Sequence, residues 1–176
     1  MLTLTASVTS LTATVTPLTA LSPLPGLVQL LPLLYLAAVT PVLVEIDLRE
    51  RRLPNGIVLP GIPVGLVAAG AQGLTTGRLP LAPLLGALVV AGCLLGLVLA
   101  GGMGLGDAKL AFVLGLASWS WPVAVLWPLF AFLAGGVVSA VILLRRGRGG
   151  SIAFGPYLLG GFWAAAALTV AAALPG

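Results

Sequence analysis

The chain has 176 residues, of which 60% are apolar and 7% charged, and its mean hydropathy is +1.20, far from soluble domains, where about a quarter of residues carry charge. With no histidine and one cysteine, Cys93, it excludes Ser-His and Cys-His catalysis, histidine metal ligation, an intrachain disulfide and a cysteine-built zinc site. The net charge of +4 sits in short basic clusters between apolar runs, the pattern of membrane-flanking loops, so nucleic acid is not an expected partner.

A spanning helix takes about 20 mainly apolar residues, so the length leaves room for about six. The expected fold is therefore all-α: one polytopic membrane bundle of about six transmembrane helices, residues 27–176, behind a variable N-terminal extension, residues 1–26. The extension is rich in Thr, Ser and Leu and lacks a basic n-region, which argues against a secretory signal peptide. It ends in the breaker Ser22-Pro23-Leu24-Pro25-Gly26.

The first span is expected over 27–46 and stops at Asp47-Leu48-Arg49-Glu50-Arg51-Arg52. Leu53-Pro54-Asn55 ends one helix and starts the next, expected over 56–71. The stretch Gly73-Leu74-Thr75-Thr76-Gly77-Arg78 reads as a turn into a third span, 81–100, and the two make a hairpin. Gly101-Gly102-Met103-Gly104-Leu105-Gly106 is too glycine-dense for a stable helix, since each interior Gly costs about 1 kcal/mol against Ala. A fourth span then runs from Asp107 to the interface residues Trp119 and Trp121. A fifth, 123–144, is stopped by Arg145-Arg146-Gly147-Arg148, and a sixth covers 154–174. Gly61-x-x-x-Gly65 and Gly92-x-x-x-Gly96 carry the spacing of close helix contacts, and Cys93 reads as a small buried packing residue.

Orientation follows from counting. If the first span exits into the cytoplasm, Arg49, Arg51, Arg52, Lys109, Arg145, Arg146 and Arg148 are inside and Arg78 alone is outside. Both Asp47 and Asp107 then lie at the cytoplasmic face.

There are four acidic residues. Ionisable groups at membrane helix ends are costly enough to be functional candidates. Glu45 lies two positions before Asp47, on nearly the opposite side of the helix, and reads as a polar contact within the bundle; Glu50 reads as a solvated loop charge. Asp47 is open to two readings, a site residue or an ion-pair partner of Arg51 four positions on. Asp107 is likewise a site residue or the N-cap of the helix it opens. A hydrolase without histidine, a reactive cysteine or a metal site could use a pair of carboxyls sharing one proton. Asp47 and Asp107, sixty residues apart at one depth, can supply that pair if their helices pack together. Gly104 and Gly106 would free the backbone for unusual conformations and for the approach of a substrate strand, while Lys109 reads mainly as a marker of the inside boundary.

Three segments carry a family resemblance. Gly104-Leu105-Gly106-Asp107 followed by Ala108-Lys109-Leu110 is similar to the G-x-G-D signature of intramembrane aspartyl proteases, in the form found in type IV prepilin peptidases. Asp47 with its basic stretch and Leu53-Pro54-Asn55 resembles the first-aspartate motif of that family. Phe154-Gly155-Pro156 is similar to the segment opening the family's last helix. The resemblance implies an aspartic endopeptidase with Asp47 and Asp107 as catalytic pair and no cofactor or metal. It also implies removal of a basic leader from type IV pilin-like precursors, after a glycine that precedes their hydrophobic helix, at the cytoplasmic face of the inner membrane. The chain lacks the cysteine-containing insert that many bacterial members carry, so no methyltransferase activity is expected, and it is closer to short preflagellin and tight-adherence peptidases. Two rivals come from other classes: a small proton- or cation-coupled transporter, which midplane acids and an inverted repeat would favour, and an inactive secretion-system assembly subunit. A homo-oligomer is left open.

Overall fold

A computed structural model describes residues 23–146 and 153–173. Residues 1–22, and with them most of the expected extension, lie outside the described residues, as do Arg148, Ile152 and Leu174. The elements are α1 (Pro23–Glu50), α2 (Asn55–Val58), α3 (Gly61–Thr76), α4 (Leu81–Leu99), α5 (Leu105–Leu116), α6 (Trp121–Arg146) and α7 (Gly155–Ala173), with no strand among the described residues. The chain is an all-α polytopic bundle.

Several boundaries differ from the sequence reading, each for a local reason. Helix α1 already includes Pro23-Leu24-Pro25-Gly26, because first-turn N–H groups have no intrahelical acceptor and prolines there lose nothing. It also continues one turn past residue 46, which puts Asp47 inside the last turn and not beyond it. Helix α3 runs through the expected turn at 73–76: Thr75 Oγ1 donates to the Ala71 carbonyl at 2.9 Å and Thr76 Oγ1 to that of Gln72 at 2.7 Å, so both hydroxyls are satisfied within the helix. The reversal falls at Gly77, whose φ of +64 is cheap only without a Cβ.

Among the described residues, five segments are long and apolar enough to cross a membrane: Leu30–Glu50, Asn55–Thr76, Leu81–Leu99, Trp121–Ile142 and Gly155–Ala173. The expected fourth span is the exception. Helix α5 has 12 residues and rises about 18 Å, against a hydrocarbon core of about 30 Å. It is buried along most of its length, packed by α4, α3, α7 and α2, and forms the centre of the bundle. The glycines of 101–104 delay its start, and Ser118, buried and donating to the Leu114 carbonyl at 3.1 Å, closes its end.

Small residues set how closely α5 is held. Gly61 and Gly65 of α3 face Val113 and Leu116 of α5 in the same order, so these helices run parallel. Gly115 of α5 lies directly against the backbone of Gly86 and Ala87, early in α4, so α4 and α5 run antiparallel. Gly161 of α7 meets the backbone of Trp127 and Ala131 of α6 in the same manner. In lipid there is no hydrophobic drive between helices, and such close packing is the main source of association. The expectation for Gly92 and Gly96 is corrected: a Cβ on either meets nothing within 4 Å. Cys93 beside them is exposed, not buried. Helix α4 thus keeps one glycine-bearing face outside the intramolecular packing.

The core is built from Leu36, Leu43, Leu94, Leu110, Leu114, Trp127, Leu158 and Phe162, all fully buried. Large apolar side chains such as Leu34, Val67, Leu88, Leu133 and Val170 point outward, the distribution expected where lipid is the solvent. Across the bundle, Trp163 Nε1 donates to Thr40 Oγ1 at 3.1 Å and ties α7 to α1. The outcome of these pairings is that the end of α1 and the starts of α2, α5 and α7 meet at one end of the bundle.

Candidate active site

Helix α1 delivers Asp47 in its last turn, and the chain leaves the helix at once. The Arg51 N–H donates to the Asp47 carbonyl at 2.9 Å, and Arg51 has a φ of +54, a conformation that costs a non-glycine residue roughly 1–2 kcal/mol. The reversal it makes leads through Leu53 to Pro54, the N-cap position of α2, as the Leu-Pro-Asn reading expected. Asp47 is 3% exposed and has no ion pair with Arg51 among the described residues; its Oδ2 instead accepts the backbone N–H of Gly155 at 2.9 Å.

That contact gives Phe154-Gly155-Pro156 a physical meaning. A Cβ on Gly155 would lie 2.7 Å from Asp47 Oδ2, so only glycine lets the start of α7 come near enough to donate. Phe154 locks the same segment in place, seated against Gly135 of α6 and 5.8 Å, ring to ring, from Phe132. Pro156 occupies the first turn of α7, where its missing N–H costs nothing.

Asp107 comes from the other break in the chain. The N-cap position of α5 is Gly104, so Asp107 is the third helical residue and not the cap, and no side chain caps this helix. The residue is 9% exposed. Burial, and secondly the neighbouring charge of Asp47, push its carboxyl up to about 6, against a smaller opposing effect of hydrogen bonding with the Gly104 backbone. Gly104 has φ −80 and ψ 143, open to any residue, so the expected glycine-only conformation is absent there. The tight position is Gly106, where a Cβ would stand 3.0 Å from the Leu53 Cβ. Space, not backbone freedom, requires that glycine, and through it the loop after Asp47 lies on the helix that carries Asp107.

Asp47 and Asp107 line one cavity of about 290 Å³. Leu53, Asn55, Gly104, Gly106 and Lys109 line it too, so most of the residues singled out from sequence converge there. Lys109 does more than mark a boundary: its Nζ donates to Asn55 Oδ1 at 2.9 Å and clamps α2 to α5. Arg51, Arg52 and Leu105 complete the wall, and the sequence reading passed over them as site residues. The basic run after Asp47 is the available signal for the arginines; in the sequence it serves for orientation, for the first-aspartate resemblance and, at Arg51, as a partner for Asp47. Glu45 is corrected as well. It is exposed and pairs with Arg49 at 2.7 Å along the outer face of α1, taking no part in the bundle or the cavity.

Chemically, this is a multi-pass membrane protein with two buried carboxyls on one cavity, held by a backbone donor on one side and a lysine–asparagine clamp on the other. The model of the type IV leader peptidase family matches residues 33–144, from the middle of α1 to the end of α6, and the chain belongs to that family. It is by class a protease, and the substrates the family implies are pilin-like precursors. Comparison with curated proteins and with solved structures gave no match.

Proposed function

We propose that Asp47 and Asp107 are the catalytic pair of an aspartic endopeptidase that cuts the leader from type IV pilin-like precursors, of prepilin, pseudopilin or Flp type. The observation that carries this reading is the meeting of the two buried carboxyls in one cavity at the joined ends of α1 and α5. Family membership supports the reaction class and favours it over a transporter.

In this mechanism Asp107 is the protonated partner, since burial and the neighbouring Asp47 charge favour its neutral form. Asp47, with the Gly155 N–H on Oδ2, is the ionised acceptor. Water attacks the scissile carbonyl carbon; its proton passes to Asp47 while the Asp107 proton passes to the carbonyl oxygen. Collapse of the tetrahedral diol breaks the C–N bond, the leaving nitrogen takes the proton from Asp47, and Asp107 regains its own from the diol hydroxyl. The Lys109–Asn55 clamp and the Gly106–Leu53 contact keep both carboxyls in register.

The bundle end bearing both acids also bears Arg49, Arg51, Arg52, Lys109 and Arg145, whereas Arg78 is at the opposite end. By the positive-inside rule the cavity opens to the cytoplasm from the inner membrane, the side where a precursor carries its leader, and the role is in pilus assembly or secretion. No methyl transfer accompanies cleavage. The test is co-expression with a pilin-like precursor: Asp47→Asn and Asp107→Asn each lower leader removal by about a thousandfold or more at unchanged membrane abundance. Retained cleavage by either folded variant removes the assignment.

A further inference from the structure

Apolar grooves lie on the outside of the described bundle at three places. One, of about 760 Å³, is at the Gly77–Pro80 turn; a second, of about 480 Å³, runs between α1 and α3; a third, of about 390 Å³, runs along α4 and α5 with Ile62 of α3 at its side. Of the three, the last is continuous with the acid cavity, because Leu105 and Lys109 line both.

We propose that the α4–α5 groove holds the apolar helix of the precursor and hangs its scissile bond over Asp47 and Asp107. This rests on the peptidase reading of that pair. The groove wall runs from Leu88 to Leu95 on α4 and from Leu105 to Phe112 on α5, each stretch about two helical turns, or roughly 10 Å. Its lining is apolar up to Lys109, so a segment seated in it must satisfy its own backbone hydrogen bonds, as a helix does. At Lys109 the wall turns polar, and there the occupant can unwind and offer an extended peptide to the carboxyls. Gly92 forms part of the floor, and space above it is open, which allows a helix to approach α4 closely.

The experiment uses the full chain in lipid nanodiscs and two probes: a model precursor with a basic leader, a glycine and an apolar helix of about 20 residues, and a short peptide with the same cleavage sequence and no helix. Gly92→Trp puts bulk into the groove at a position where a Cβ meets nothing within 4 Å; Gly160→Trp places the same bulk on the open face of α7. Gly92→Trp raises KM for the helical precursor about tenfold or more and leaves cleavage of the short peptide within about twofold, while Gly160→Trp changes neither. Equal effects of the two variants, or equal losses on both probes, overturn the proposal. Cys93, exposed beside Gly92, gives a second readout that needs no cleavage. With copper phenanthroline added as the oxidant, which takes up the two electrons, it forms a disulfide in wild type and in Asp107→Asn with a single cysteine in the precursor helix. A disulfide between two copies of this chain, with none to the precursor, assigns the face to self-association and also overturns the proposal. Crosslinking without Asp107-dependent cleavage would instead sink the peptidase reading and leave the docking face standing.

Discussion

At one end of the bundle α3 turns into α4 around a cavity of about 760 Å³; at the other, α1 turns into α2 around one of about 290 Å³. The larger cavity is lined by apolar side chains and glycine, with Arg78 its one charged residue. The smaller collects Asp47, Asp107, Arg51, Arg52 and Lys109. Both ends contain a left-handed residue that reverses the chain, Gly77 in the first case and Arg51 in the second. At Gly77 the reversal is cheap and joins a hairpin; at Arg51 it costs conformational energy, and it brings the loop after Asp47 onto Gly106. Volume is therefore a poor guide to chemistry in this protein. Convergence of costly groups is a better one.

Perturbing the two ends separately should give unequal results. Apart from the two acids themselves, the largest effect is expected at Gly155, where a side chain must displace the Asp47 carboxylate or the start of α7: Gly155→Val lowers kcat by about a hundredfold or more with little change in KM, measured on a cleavable precursor. A purely structural role for that contact would show as lost protein, with normal turnover in what remains.

Next in size is a pH effect on stability. The Asp107 carboxyl is raised in the folded state to about 6 from 3.8, so the fold favours its protonated form. That stabilisation is complete below the unfolded value and is lost as pH rises through about 6, a change on the order of 3 kcal/mol between about pH 4 and about pH 7. Thermal unfolding in nanodiscs should show wild type losing stability over that window and Asp107→Asn losing much less. Parallel curves for the two proteins would show that another group dominates.

A smaller change follows from Lys109→Met, which keeps the apolar stem and removes the donor to Asn55. Loss of one charge-assisted hydrogen bond at the rim, about 1.5–3 kcal/mol at most, should lower kcat/KM by about tenfold, and Asn55→Ala should give the same value without adding to it in the double variant. Additive losses would mean that the two side chains act apart. The smallest effect belongs to the far end: Gly77→Ala forces a Cβ into a φ of +64 and costs about 1 kcal/mol of stability, with peptidase activity unchanged. A loss of activity there would break the contrast between the ends.

Much of this organisation is legible in the chain because lipid imposes a simple rule. Apolar runs of about 20 residues must be helices, and the breaks between them must be charged or rich in Gly and Pro. Asp47 and Asp107 stand out for the same reason, as acids at the edges of such runs in a protein with four acids altogether. Composition does not reveal that α5 is a buried half-length helix, since an apolar run reads alike whether lipid or protein surrounds it. The two glycine pairs have identical spacing, yet Gly61 and Gly65 are packed while Gly92 and Gly96 are bare, because the helix offered to each is chosen by the whole bundle.

The amino-acid sequence by itself determined the apolar helical runs, the breaks that gather positive charge and the two acids that stand at their edges, since each follows from local hydropathy and the cost of burying charge. Tertiary structure alone decided that Gly155 donates to Asp47, that Lys109 holds Asn55 and that both carboxyls open on one cavity. Those contacts join residues 54 to 108 positions apart, and such pairs meet only after several helices have packed at once.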